Sequence, residues 1–325
     1  MNPRYRPLVA TTLIFLVAYV LCVSQYPGMW STRVLGNFLT DNAFLGIAAV
    51  GATFVIISGG IDLSVGAVIG LTGVITAILI TRFGMHPLAV FPLVLAFAAA
   101  FGAVMGAVIH FLRVPPFIVT LAGMFLARGL ASVLTQDSIP IDHDFFRFVS
   151  SLYYKLPGGG RLSAVGVTML LVFAVFGFIA HKTRFGSYVY AIGGNGTSAA
   201  LMGVPVGQTT VAIYALSSFL GGLSGIVYSL YTSAGYPLAA VGIELDSIAA
   251  VVIGGTLLTG GYGFVFGTLI GVMLQGLVQT YIVFDGTLSS WWTKIAIGFL
   301  LFMFILLQKL VFSSQGPSRL RKGPA

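Results

Sequence analysis

Charged side chains are almost missing from this chain: 16 Lys+Arg and 8 Asp+Glu make up 7% of 325 residues, against roughly 25% in an ordinary soluble domain. So little charge cannot clothe a surface in water, and a water-soluble globular protein is excluded. Cysteine is the next shortage. The single Cys22 excludes an intrachain disulfide framework and a cysteine-based metal site, and it leaves the redox compartment unreadable. Histidine is nearly as rare: His86, His110 and His181 stand singly near the ends of apolar runs, and no H-E-x-x-H occurs. Only Asp142, His143 and Asp144 cluster, and because adjacent residues do not converge on one ion, that run reads as a solvated loop. A phosphate-binding G-x-x-x-x-G-K-[ST] loop is also absent, His181 standing where its last glycine would precede Lys182 and Thr183. No cofactor, metal or catalytic residue is expected in this chain, and any ATP would have to be bound by another one.

What is abundant is apolar sequence. Hydrophobic residues make up 58% of the chain and the mean hydropathy is +1.02. Apolar runs fall at 8–26, 43–57, 65–80, 88–110, 117–135, 164–180, 211–233, 245–259, 262–283 and 291–311. A helix needs about 20 residues to cross a hydrocarbon core roughly 30 Å thick, so these predict an all-α, polytopic membrane protein with about ten transmembrane helices. Residues 1–325 then form a single transmembrane domain with little left for a soluble one. The net charge of +8 sits at the ends of the apolar runs, where it reads as a topology signal and not as a nucleic-acid surface. Arg4, Arg6, Arg113, Lys182, Arg184, Lys309, Arg319, Arg321 and Lys322 fall on one side, against Arg33, Arg82, Arg147, Lys155, Arg161 and Lys294 on the other. The positive-inside rule puts both termini in the cytoplasm, with the first apolar run as an uncleaved signal anchor.

Two apolar runs are short and interrupted by glycine. The run 43–57 meets Ser58, Gly59, Gly60, Ile61, Asp62, Leu63 and Ser64; the run 245–259 contains Gly254 and Gly255 and leads to Gly260 and Gly261. VIISGGIDLSVG and VVIGGTLLTGGYG echo each other about 195 residues apart, which suggests an internal duplication. Paired broken helices point to a transport pathway, because irregular backbone survives in a membrane only where protein or a watery cavity satisfies it; glycine equally permits close helix packing. Near these breaks Asp62, Glu244 and Asp246 read either as pathway residues or as helix caps. Arg128, inside a span, is costly enough to need a specific partner. Asn42, Gln275, Gln279, Phe117, Tyr281 and Trp291 would suit a neutral, hydroxyl-rich solute, by hydrogen bonding and by stacking on sugar faces, and equally suit interhelical bonds and interfacial belts. Two connections are long, 136–163 and 181–210. The second holds Thr197, Ser198, Ala199, Ala200, Leu201, Met202 and Gly203: with Ser or Thr as N-cap and Gly203 as stop it reads as a short cytoplasmic helix. Such a helix is a docking element for a partner, or else the stretch is a plain loop.

Three motifs carry a resemblance. ISGGIDLSVGAVIGLTG (57–73), YAIGGNGTSAALMGVPV (190–206) and GIELDSIAAVVIGGTLLTGGYGFVFGTLIG (242–271) resemble the permease subunits of bacterial ATP-binding-cassette sugar importers of the ribose, xylose and arabinose type, over nearly the whole chain. STRVLGNFLTDNAFLGIAAVG, SIPI, KLPGGGRLSA and FDGTLSSWWTKIAIG resemble, more narrowly, one of the two permease subunits of galactofuranose importers. The resemblance implies a vitamin-B12-importer-like (type II) permease fold in the bacterial inner membrane, paired with a second related permease or a second copy of itself. It implies a coupling segment at 190–206, with Asn195 and Thr197 to Gly203 docking on a cytoplasmic ATPase subunit that binds ATP and Mg. It also implies a periplasmic sugar-binding protein that delivers sugar near Glu244 and the 136–163 loop. Pro205, Tyr262 and Phe264 depart slightly from the family pattern. The competing readings are an importer of another pentose or hexose and an ion-coupled secondary carrier; an intramembrane enzyme has little support.

Overall fold

The computed structural model describes residues 6–313; Arg4, Arg319, Arg321 and Lys322 of the charge pattern lie outside them. The chain is mainly helical. After α1 (Arg6–Gln25), a bent pair, α2 (Thr32–Asp41) and α3 (Ala43–Ile57), leads into α4 (Val65–Thr81), α5 (Pro87–Phe111) and α6 (Pro116–Leu134). A short α7 (Asp144–Ser151) precedes α8 (Ala164–Lys182), α9 (Arg184–Leu201) and α10 (Val206–Thr232). The last three helices are α11 (Ile243–Ile253), α12 (Val265–Asp285) and α13 (Trp291–Ser313).

Every one of the ten apolar runs contains a helix, but not every helix is a full crossing. Among the described residues six of them, α1, α5, α6, α8, α10 and α12, are long and apolar enough to span a membrane, and α2 with α3, bent by 54°, makes a seventh if the pair is one span. α4 is shorter and α11 has only 11 residues, because glycine-rich segments end α3 and α11 early. The long connections also hold more structure than loops. Residues 136–163 contain α7 and three short strands, β1 (Ile139–Pro140), β2 (Tyr153–Lys155) and β3 (Arg161–Ser163). β2 pairs antiparallel with β3, and β1 with β4 (Ala234–Gly235), so the fold is all-α apart from two short ladders. The Asp142-His143-Asp144 run is a helix start, not a loop: the backbone N–H of Phe145 donates to His143 Nδ1, and Arg147 pairs with both exposed aspartates. Most of 181–210 is helical as well, as α9 and the start of α10.

The core forms around α3, apolar on all sides, with 14 of its 15 residues buried. A helix apolar all round must be enclosed by others, and α8, α10, α11 and α12 enclose this one. Lipid tails are as apolar as the helices, so small residues and interhelical hydrogen bonds hold the bundle. Thr53 and Thr268 hydroxyls pair at 2.7 Å between α3 and α12, Ser224 donates to the Phe44 carbonyl, and Thr11 of α1 donates to the carbonyl of Ile253.

The closest backbone approach joins three distant segments. The N–H of Gly261 donates to the carbonyl of Ile57 at 2.8 Å. A Cβ on Gly260 would lie 2.8 Å from the nitrogen of Gly59, and one on Gly261 would lie 2.9 Å from the Cα of Gly194. A Cβ on Gly193 would overlap the Ile57 carbonyl, whereas one on Gly194 would meet nothing within 4 Å. This asymmetry is testable. Gly193→Ala should lower the melting temperature of the detergent-purified protein, by an overpacking cost of about 1–3 kcal/mol, while Gly194→Ala should leave it unchanged.

Candidate functional site

The two breaks share one geometry. At the end of α3, Gly59 N–H donates to Ile56 O and Gly60 N–H to Val55 O; at the end of α11, Gly255 N–H donates to Val252 O and Thr256 N–H to Val251 O. Gly59 and Gly255 both have positive φ, +83° and +91°, the left-handed stop that glycine alone adopts without strain. The echo between VIISGG and VVIGGT is therefore a repeated helix stop. Gly254 additionally packs against Gly267 of α12, where a Cβ on either would strike the other's backbone.

Asp62 combines both roles open to it. It is 3% exposed; Ser64 donates to its Oδ1 from the backbone N–H (2.8 Å) and the hydroxyl (2.6 Å), and Ser217 of α10 donates to its Oδ2 at 2.7 Å. It thus turns the chain into α4 and ties the first break to α10. Three donated bonds compensate a buried carboxylate. Arg128 has the partner its burial demands: Nη1 donates to the carbonyls of Pro237 and Ala239 at 2.7 and 2.8 Å. It fixes the segment that leads into α11.

At the start of α11 the two acids separate in role. Glu244 accepts from Gly242 N–H at 3.2 Å and lies flush on Gly66 of α4. Asp246 pairs with Lys294 of α13, and its carbonyl accepts from Gln275 Nε2 at 3.0 Å. Asp246 and Lys294 line a cavity of about 370 Å³ with Asn42, Gln275, Gln279, Trp291, Ser290 and Thr293. A recess of about 150 Å³ shares Asp41, Asn42 and Gln279 with it. The amides and the indole singled out from sequence are thus brought to one place, although only Gln275 and Gln279, four apart on α12, are joined by a spacing along the chain. Asn42 sits at the α2–α3 bend and donates to Phe38 O, its amide lying against Gly276. Asp62 and Arg128 do not line the cavity, and three further candidates also lie elsewhere: Glu244 of α11, turned onto α4; Phe117, 51% exposed at the start of α6; and Tyr281, which donates to Gln25 and faces an apolar groove between α1, α12 and α13. Phe117 and Tyr281 carry apolar surface that lipid covers as readily as a solute does. Asp41, Lys294, Ser290 and Thr293 are lining residues that sequence reasoning missed; Asp41, next to Asn42, and Ser290, next to Trp291, carried a signal by adjacency.

A second candidate surface begins beside Ile57, at the other end of the 15-residue α3, a helix about 22 Å long. α9 is two helices joined at Asn195, whose backbone is extended (φ −163°, ψ 102°). The Asn195 side chain caps the second piece by accepting from Ser198 N–H at 2.9 Å. Asn195, not Thr197 or Ser198, is therefore the N-cap, since only it leaves helical geometry where the cap must. The turn ends as expected: Gly203 has φ +85°, its N–H donates to Ala200 O, and Val204 N–H donates to Ala199 O. Ala199 is buried and anchors the turn, while Leu201 and Met202 are 86% and 84% exposed. Pro205 begins α10, and the rings of Tyr262 and Phe264 pack edge to face beside His181.

Glycine-broken helices, a polar cavity at one end and a capped turn with exposed apolar side chains at the other define a membrane permease. Residues 34–306 match the family described as branched-chain amino acid transport system / permease component. The chain is 61% identical over 309 residues to the inner membrane ABC transporter permease protein YjfF of Escherichia coli, covering 95% of this chain and 93% of that one. It is 37% identical to the fructose import permease protein FruG of Bifidobacterium longum, over 95% and 93% of the two chains. To the ribose import permease protein RbsC of Haemophilus influenzae it is 39% identical, over 82% of each. No solved structure matches. The chain belongs to this permease family, and it is a transport subunit of the ABC type, not an enzyme.

The bonds at Asp62 generate a prediction. Asp62→Ala strands three buried donors, at about 1–3 kcal/mol for each one left unsatisfied, and should lower both the melting temperature and transport. Asp62→Asn keeps one acceptor oxygen and should fall between Asp62→Ala and wild type in thermal unfolding.

Proposed function

We propose that this chain is one permease subunit of an ATP-driven, binding-protein-dependent sugar importer of the bacterial inner membrane, with galactofuranose as its cargo. The observation that carries the reading is the pairing of a capped, outward-projecting turn at 195–203 with a separate cavity lined by amide, hydroxyl and indole groups. Hydroxyls of a neutral sugar need such partners, and an indole face suits a sugar ring. The cavity of about 370 Å³ is at the lower end of the range for small-molecule sites. The names of FruG and RbsC point to sugars as a class, and the galactofuranose assignment rests on the resemblance of the 31–51, 138–141, 155–164 and 284–298 stretches.

In this reading about ten helices form a vitamin-B12-importer-like permease with both termini in the cytoplasm. Asn195, Thr197, Ser198, Ala200, Leu201, Met202 and Gly203 meet an ATPase subunit, which holds ATP and Mg. A periplasmic binding protein releases sugar at the cavity end, near Asn42, Asp246, Gln275 and Gln279, and a second related permease supplies the opposite wall of the pathway. ATP binding draws the two coupling turns together, and the cavity opens first to one side and then to the other.

The test is reconstitution in liposomes with the ATPase, the second permease and the binding protein. Hydrolysis that rises with galactofuranose and needs both permeases supports the assignment; a rise with fructose, ribose or arabinose instead keeps the importer and replaces the sugar. Uptake without any ATPase, collapsing with an uncoupler, would overturn the reading in favour of a secondary carrier. At the docking surface, Leu201→Asp and Met202→Asp should each abolish co-purification with the ATPase while membrane insertion and melting temperature stay at wild type, because both side chains are exposed.

A further inference from the structure

The 195–203 turn and the cavity are linked by two elements: α3, whose Asn42 end lines the cavity and whose Ile57 carbonyl meets Gly193 and Gly261, and α11 with the loop that follows it. The loop that follows α11 closes on the segment just before the turn: Gly260 and Gly261 lie against Gly193 and Gly194. The Tyr190 hydroxyl of α9 donates to the carbonyl of Gly263 at 2.7 Å. The other end of α11 forms the cavity wall, where Asp246 pairs with Lys294 and its carbonyl is held by Gln275. α11 has only 11 residues, about 16 Å of helix, so it connects the two ends without a flexible insertion. Its C-terminal half is buried on every side.

Resting on the importer reading, we infer that α11 is the rod that carries movement of the docked turn to the cavity, and that Tyr190 is its positioning residue. A displacement of Asn195 moves Gly193 and Gly194 with it, since they immediately precede it at the end of the first piece of α9. Those glycines meet the 260–261 backbone with no side chain between them, so the push reaches the loop directly. The Tyr190–Gly263 hydrogen bond keeps the loop in register with α9 while it moves; without it, α9 can slide past the loop. At the far end, α11 carries Asp246 relative to Lys294, which stands on a different helix and is 53% exposed at its side chain. Cavity shape thereby follows the position of the turn.

The experiment compares Tyr190→Phe with Thr53→Val in the reconstituted full complex, reading sugar transported per ATP hydrolysed. Tyr190→Phe keeps its ring beside His181 and loses only the oxygen. Thr53→Val loses a buried interhelical hydrogen bond of similar length that includes no residue of α9 or of the 254–264 loop. Tyr190→Phe should bind the ATPase and hydrolyse ATP, with a transport ratio about fivefold or more below wild type, while Thr53→Val keeps the wild-type ratio. A wild-type ratio in Tyr190→Phe, or an equal fall in both variants, overturns the relay and leaves the importer reading intact. Hydrogen exchange on the wild-type complex gives a second measurement that depends on no variant. ATP with vanadate should change protection in 254–264 and in the first turn of α11 together, and a change confined to 195–204 overturns the relay. A wild-type chain that associates with no ATPase defeats the importer reading itself, and the relay with it.

Discussion

Backbone meeting backbone is the constraint on which the rest of this bundle depends. Where Ile57, Gly59, Gly193, Gly260 and Gly261 converge, three segments far apart in sequence approach closely enough that a methyl group would separate them. In a membrane such a place is otherwise hazardous, because a carbonyl or N–H without a partner costs several kcal/mol in hydrocarbon. Here the same closeness that excludes side chains supplies a partner: Ile57 O, freed by the end of α3, accepts from Gly261. Ending α3 early and ending α11 early are solved by one contact. The shortness of both helices follows from it, and so does the position of the turn that begins two residues after Gly193.

Polar groups elsewhere obey the same accounting. Asp62 and Arg128 are the residues whose charge is most costly in a lipid-facing bundle, and each is used to fix irregular backbone. Asp62 gathers the start of α4 and Ser217 of α10; Arg128 gathers the segment entering α11. Neither residue lines the cavity. The groups that do line it stand at a bend (Asn42), in the first turns of α11 and α13 (Asp246 and Lys294) and along α12 (Gln275 and Gln279).

Much of this was legible in the chain. Hydropathy located every apolar helix, because burial in lipid and burial in protein both select apolar sequence. The glycines marked the runs of α3 and α11 as short of full crossings, but not which glycine stops each helix, since that depends on Gly59 and Gly255 adopting positive φ. The end of the 195–203 turn was legible from Gly203, whose left-handed backbone is a local property. Its cap was not: Asn195, Thr197 and Ser198 all carry suitable oxygens, and the choice is made by which residue leaves the helix. The gathering of Asn42, Gln275, Gln279 and Trp291 around one cavity was suggested by residue type alone. Phe117 and Tyr281 had the same credentials and lie elsewhere, because aromatic side chains serve lipid and solute alike. Resemblance to sugar permeases named the class; the cavity's other walls, at Asp41, Ser290, Thr293 and Lys294, needed the fold.

The two breaks share a stop but not a fastening. The first is tied by the side chain of Asp62, while the second is closed by backbone bonds, Leu257 N–H to Tyr262 O and Gly260 N–H to Leu257 O, and by glycines at positive φ. A fastening made of side chains can be retuned by substitution, one donor or acceptor at a time. One made of glycine backbone has no intermediate settings: nearly every replacement adds bulk and strain at once. Sequence drift can therefore adjust how firmly the first break is held, whereas the second is held at a single value that the family inherits or loses whole.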